Sequence, residues 1–188
     1  MVNEPDPAVI RAAAKGDTAA FSELVRLYQE PVWRFLTRFT GDPHLAEDIA
    51  QDTFVKLHRR IGSYKFRSKF STWVFSIARN TAIDAHRSSA RQERLPDVAP
   101  RPAPIGQPGL SIEIDEAIAS LSPKLRESLL LVEVLGLRYR EVAEVLDLPI
   151  GTVKSRVFHA RSDLTEFLSE TSLVEDEGFG PTAVGGAS

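Results

Sequence analysis

Leu137-Arg-Tyr-Arg-Glu-Val-Ala-Glu-Val-Leu-Asp-Leu-Pro-Ile-Gly-Thr-Val-Lys-Ser-Arg-Val-Phe-His-Ala-Arg161 decides the reading of the chain. Its first part puts Val142, Ala143 and Leu146 on one apolar helical face. Leu148, Pro149 and Gly151 break that pattern. Thr152 is placed to cap a second helix, because its hydroxyl can accept from a free backbone N–H. Val153, Val157, Ala160 and Leu164 then recur as a buried stripe, with Lys154, Ser155, His159 and Ser162 on the opposite side. Two short helices joined by a turn, the second with small, polar and basic side chains outward, predict a helix-turn-helix able to enter a DNA major groove. A plain helical hairpin with a solvated face has the same periodicity. The Gly151-Thr-Val-Lys-Ser-Arg156 run favours DNA.

At 188 residues the chain accommodates one domain or two small ones, and 43% hydrophobic residues are enough for a core. The net charge of −3 does not by itself mark a nucleic-acid binder, but the charge is unevenly spread. Residues 15–94 carry 14 Lys and Arg against 9 Asp and Glu, whereas residues 113–170 carry 7 against 11. The acidic background limits non-specific DNA affinity, which phosphate neutralisation drives. There is no cysteine, which excludes disulfides, zinc–thiolate sites and a thiol nucleophile. No apolar run approaches the roughly 20 residues that span a bilayer, and the acidic start is unlike a signal peptide, so a cytoplasmic protein is expected. Asp48 with Asp52, and Asp84 with His86, sit on ordinary helical patterns without a nucleophile motif, a Gly-rich loop or a metal-type cluster. No enzyme activity, metal or cofactor is therefore expected.

Taken in order, the chain reads as all-α. A short helix from Ala8 to Lys15 closes at Gly16, and Asp17 or Thr18 caps the next. Pro31 is expected to kink or interrupt that second helix. Asp42 and Pro43 start a third, running to about Ile61, with Leu45, Ile49, Thr53 or Phe54, and Leu57 inward. Asp48, Gln51, Asp52 and Val55 form a second face on it, either a docking surface for another protein or a solvated face. Gly62 to Phe70 is a basic loop with interleaved aromatics, in which Lys65, Arg67 and Lys69 suit unstacked nucleic acid, or a surface loop whose aromatics, Phe70 among them, tuck into the core. Ser71 is expected to cap a helix from Thr72 to about Arg91, with Arg79, Asn80, Asp84 and Arg87 along one exposed side. Arg and Asn there can bind base edges and phosphate, with Asp84 beside them to orient an arginine, or the side can be a solvated face laced with ion pairs. Five prolines between Glu93 and Gly109 predict an extended linker. Two more helices precede the helix-turn-helix. These signals divide the chain into an N-terminal segment (1–14), a first domain (15–92), a linker (93–112), a second domain (113–170) and an acidic tail without structure (171–188).

Three stretches together resemble the extracytoplasmic-function group of bacterial RNA polymerase σ factors. They are Ala46-Glu-Asp-Ile-Ala-Gln-Asp-Thr-Phe54, Phe70-Ser-Thr-Trp-Val-Phe-Ser-Ile-Ala-Arg-Asn-Thr-Ala-Ile-Asp84, and the opening stretch from Tyr139 to Arg161. They occur in the family's order, and the resemblance covers about residues 15–168. It implies two helical domains, σ2 and σ4, with no chemistry of their own. It implies that Asp48, Gln51, Asp52 and Phe54 dock on core RNA polymerase, whose β and β′ subunits are the expected partners. Asp52 stands where the family commonly has Glu. Lys65, Arg67, Lys69, Trp73, Arg79, Asn80, Asp84 and Arg87 would read and hold open the minus-ten promoter element. Thr152, Lys154, Ser155, Arg156, His159 and Arg161 would contact the minus-thirty-five element, so promoter DNA is met both double-stranded and melted. An anti-σ factor is a further expected partner. The alternative is an autonomous helix-turn-helix regulator, which leaves the basic aromatic loop without a role.

Overall fold

The computed structural model describes residues 2–92 and 112–177. The described residues are helical, with no strand among them. Helix α1 (Pro7–Ala14) starts where the Asp6 carboxylate accepts from the Ala8 N–H at 2.7 Å. Gly16, at φ 96°, turns the chain out of it. Asp17 then caps α2 (Thr18–Thr40) through the N–H groups of Ala19 and Ala20. Pro31 does not interrupt α2, which runs through it as one helix. Leu24, Tyr28, Val32, Phe35 and Leu36 are fully buried on both sides of the proline. Each buried side chain of this size contributes about 1.5–3 kcal/mol, which together exceeds the roughly 3 kcal/mol cost of an interior proline. Asp42 caps α3 (Pro43–Arg60), and a single 3-10 turn, Ile61–Ser63, closes it.

Helix α4 (Phe70–Gln92) begins two residues earlier than the sequence predicts, and Ser71 is not its cap. The Glu4 carboxylate takes that role, accepting from the N–H groups of Phe70 and Ser71 at 2.9 and 3.1 Å. A negative group at a helix N-terminus satisfies orphan donors and complements the helix dipole. The same strap of chain accepts a hydrogen bond from the Tyr28 hydroxyl at the Asn3 carbonyl, and its Val2 N–H donates to Leu135 O at 3.3 Å.

Helices α5 (Ile112–Ser120) and α6 (Pro123–Leu129) form a hairpin locked by Arg126. Its guanidinium donates to the carbonyls of Ile118, Ala119 and Leu121, at the end of α5 and just beyond it. Burial lowers the pKa of this guanidinium. After α6 the chain widens into a π-helical turn, Leu130–Val134, which the sequence does not announce. Gly136, at φ 67°, ends it. Then α7 (Tyr139–Leu146) and α8 (Ile150–Glu177) complete the fold. Thr152 is not the cap of α8; it lies in the first turn, and its N–H donates to Pro149 O at 2.9 Å. Helix α8 extends to Glu177, so residues 171–177 of the expected unstructured tail are helical. The linker expected at 93–112, up to residue 111, and the tail beyond 177 lie outside the described residues.

One contiguous apolar cluster joins the helices on both sides of residues 93–111. Helices α5 and α6 and the π-helical turn lie against α2, and α7 packs on α4.

Candidate nucleic-acid interface

On α3 the apolar positions Ile49, Thr53 and Leu57 face inward, which leaves Asp48, Gln51, Asp52 and Val55 as one solvent-exposed stripe. Val55 is 46% exposed, an apolar side chain among acids. Phe54 leaves this stripe: it is half-buried and packs against the core. The stripe can therefore offer carboxylates and a small apolar contact, while only part of the Phe54 ring is left accessible for docking.

The loop from Gly62 to Lys69 is anchored by its aromatics. The Tyr64 ring lies 5.1 Å from Trp73, 5.2 Å from Phe70 and 4.7 Å from Phe66, and its hydroxyl donates to Ser68 O. Phe70 is buried, as its sequence position predicts, and Trp73 is half-buried. Phe66 is 45% exposed in a left-handed backbone conformation, with the Arg11 guanidinium 5.5 Å from its ring. Burial first, and the Glu4 charge second, push the Tyr64 phenol up to about 12. Lys65, Arg67 and Lys69 project from this aromatic base with exposed side chains.

Along α4, Asn80, Asp84 and Arg87 are exposed, as the spacing predicts. Arg79 is not: it is half-buried, and its guanidinium is held by Glu127 of α6. Asp84 does not orient an arginine; it lies 3.5 Å from Lys56 of α3. Lys69 is likewise engaged, 2.7 Å from Glu141 of α7. These partners come from distant parts of the chain, so local spacing carries no sign of them. The remaining cations, Lys65, Arg67 and Arg87, with Asn80, can bind phosphate or base edges as they stand.

Asp147, in the left-handed region at φ 53°, and the two residues after it connect α7 to α8. Val142, Ala143, Leu146, Val153, Val157 and Ala160 are buried between and beneath the two helices. That burial turns Lys154, Ser155 and His159 outward, leaves Thr152 and Arg156 half-exposed, and fixes one face of α8 for contact. Arg161 points instead to Glu133, which raises its pKa. Phe158, 69% exposed on the same face, is missing from the sequence-derived set. Its position, three and four residues after Ser155 and Lys154, is the signal that would have included it. An exposed aromatic among donors suits a thymine methyl in a major groove.

Among the described residues no group of three or more His, Asp or Glu side chains is placed to hold a metal, and no helix is long and apolar enough to cross a membrane.

These helices define a helix-turn-helix protein with a second helical unit ahead of the motif. Residues 24–92 match the family model for Sigma-70 region 2, and residues 111–164 match Sigma-70, region 4. The chain is 32% identical to the RNA polymerase sigma-H factor of Pseudomonas aeruginosa over 185 residues, covering 89% of this chain and 96% of that one. It is 36% identical to the ECF RNA polymerase sigma factor SigC of Mycobacterium tuberculosis, covering 86% and 90%. Among solved structures, the sigma factor RpoE in complex with the anti-sigma factor NepR from Bartonella quintana aligns with a TM-score of 0.67 at 30% identity, covering 79% of this chain and 96% of that one. The chain belongs to the extracytoplasmic-function group of the sigma-70 family of RNA polymerase sigma factors.

Proposed function

We propose that the chain binds core RNA polymerase and directs it to promoters by reading two DNA elements. The observation that carries this is the presence of two exposed faces able to bind nucleic acid on separate helical units, with an acidic stripe apart from both. The stripe of Asp48, Gln51, Asp52 and Val55 docks on the polymerase. Lys65, Arg67, Asn80 and Arg87 hold the minus-ten element, where Trp73 and the loop aromatics give unpaired bases a stacking base. Lys154, Ser155, Arg156, His159 and Phe158 read the minus-thirty-five element in the major groove. The family membership supports each assignment by order and position. The protein acts by binding and positioning, without a reaction of its own. The pairing of RpoE with NepR in the related structure supports an anti-σ factor as a regulatory partner here.

Run-off transcription with core polymerase on a genomic library tests this. Asp52→Arg is expected to abolish initiation, and Lys154→Ala to change which promoters are used. Unchanged transcripts in both would overturn the reading. A gel shift separates it from an autonomous regulator: a σ factor binds its promoter poorly without core polymerase, and a regulator binds alone.

A further inference from the structure

Residues 2–14 have no role in the assignments above, yet they touch the basic aromatic loop at its start, its tip and its end. At the start, α1 packs on the turn Ile61–Ser63, with Ile10, Ala13 and Ile61 buried. A Cβ added to Gly62 would lie 3.7 Å from the Ala14 carbonyl oxygen, so the two backbones run in close contact. At the tip, the Arg11 guanidinium lies 5.5 Å from the centre of the Phe66 ring. At the end, the Glu4 carboxylate accepts from the N–H groups of Phe70 and Ser71. The strap that carries Glu4 is itself fixed. Its Asn3 carbonyl accepts from the Tyr28 hydroxyl, and the Tyr28 ring packs edge-on against Phe70 at 5.6 Å.

Between these points little else holds the loop. Lys65, Phe66 and Arg67 are exposed, and Phe66 takes the left-handed backbone conformation at φ 55°. A residue with a Cβ keeps that conformation only where its surroundings over-determine it. Here the surroundings are the Tyr64 ring at 4.7 Å, the bond from the Tyr64 hydroxyl to Ser68 O, and Arg11. Among the described residues no carboxylate pairs with Arg11, which leaves its guanidinium to the ring. A loop that meets a flexible strand binds it more tightly when its own shape is set beforehand, because less ordering remains at the moment of binding.

We propose that residues 2–14 are a positioning device for the minus-ten loop: Arg11 sets the ring at its tip and Glu4 sets the helix start at its end, so that Lys65, Phe66 and Arg67 meet the unpaired strand in one arrangement. This rests on the assignment of residues 62–87 to promoter DNA. It goes beyond that assignment by naming residues that act on the loop from outside it. Arg11 and Glu4 grip only groups that precede residue 93, so the clamp does not depend on the contact between Lys69 and Glu141.

In a Trp33→Phe background Trp73 is the one tryptophan, 5.1 Å from Tyr64 and 5.7 Å from Phe70, and it reports on the base of the loop. Arg11→Gln and, separately, Glu4→Gln are expected to make Trp73 emission in the full chain easier to quench with acrylamide, while circular dichroism stays helical. Arg11→Lys keeps a cation for the ring and is expected to stay close to the parent. Arg26→Gln, at an exposed arginine of α2, makes the same change in net charge and is expected to leave the quenching as it is. The second readout uses the chain bound to core polymerase, on a promoter recovered by run-off transcription and left unpaired at its minus-ten element. Arg11→Gln is expected to lower affinity for it about two- to fivefold, the scale of one exposed cation–π pair. Affinity for core polymerase is expected to hold, whereas a general loss of folding would lower both. Unchanged quenching in both Arg11→Gln and Glu4→Gln would overturn the clamp. Lower DNA affinity with unchanged quenching would mean that Arg11 meets DNA itself, which overturns positioning. Easier quenching with unchanged DNA affinity would show that the order of the loop is without effect on binding, and the proposal would fall. The quenching needs neither DNA nor polymerase, so the clamp can fail while the σ-factor reading stands. A parent chain that starts no transcript overturns that reading, and the task of the loop with it.

Discussion

Glu4 shows how much a single exposed side chain can hold. Its two carboxylate oxygens cap α4 from 66 residues away, and its charge adds to burial in raising the Tyr64 phenol. Glu4→Ala is expected to lower stability by about 1–2 kcal/mol, the range for losing a charged N-cap, read as a drop in thermal midpoint. The Tyr64 titration midpoint should move down from about 12, though not fully to the ordinary value, because burial is the larger cause. A phenol raised in the folded state gives stability that is present below pH 10 and lost as the pH climbs toward 12. An unchanged melting curve in Glu4→Ala would show that water caps α4 equally well. No sequence rule finds this residue, since capping patterns are read over three or four positions.

At the scale of elements, caps written locally are legible and caps supplied from afar are not. Asp17, and Asp42 with Pro43, announce α2 and α3, and the structure starts both helices where they predict. The start of α4 is hidden because Glu4 supplies its cap. The start of α8 is hidden because Gly151 and Thr152 look like a break and a cap but lie within its first turn. Pro31 misleads for a different reason: a local penalty is outweighed by burial along the whole of α2. The candidate sites divide in the same way. The exposed faces of α3, α4 and α8 follow from periodicity, while the engagement of Lys69, Arg79 and Arg161 depends on acids brought near by folding. Helix α7 carries a pH prediction. Burial pushes the Glu141 carboxyl up, but bonds from Lys69 and the Arg138 N–H, with both positive charges, outweigh it and hold the carboxyl below its ordinary value. A depressed carboxylate stabilises the fold above the unfolded-state pKa of about 4.3, and that contribution is lost as the pH falls through the lower folded value. Thermal midpoints taken from pH 6 down to pH 3 should fall less steeply in Glu141→Gln than in the parent. Parallel slopes would mean that Lys69 and Arg138 do not hold this carboxylate.

For the whole molecule, the decisive question is whether the two units respond as one body. Arg38→Ala removes the counter-charge of buried Asp115, and breaking such a pair costs about 3–5 kcal/mol if the remaining charge stays buried. Here Asp115 can instead return to water by separation of the units. The expected result is an increased radius of gyration by small-angle scattering with helical content kept. The double change Arg38→Leu with Asp115→Leu, which leaves no charge to hydrate, is expected to stay compact. A compact, strongly destabilised Arg38→Ala would show that the units do not part. The prolines and the charge bias separate the two units in the sequence, but nothing there announces their contact, because an interface of matched charges has no periodicity to detect.

The strap at residues 2–4 also imposes an order of events during synthesis. These residues leave the ribosome before everything they grip. The amides of Phe70 and Ser71 must emerge before Glu4 has a helix to cap, and Leu135 must emerge before Val2 has an acceptor. Contacts so distant in sequence form late, because the loop they close must be ordered first. Residues 2–4, made before all of their partners, are therefore among the last to settle, and a nascent chain that ends before residue 135 carries its strap only half fastened.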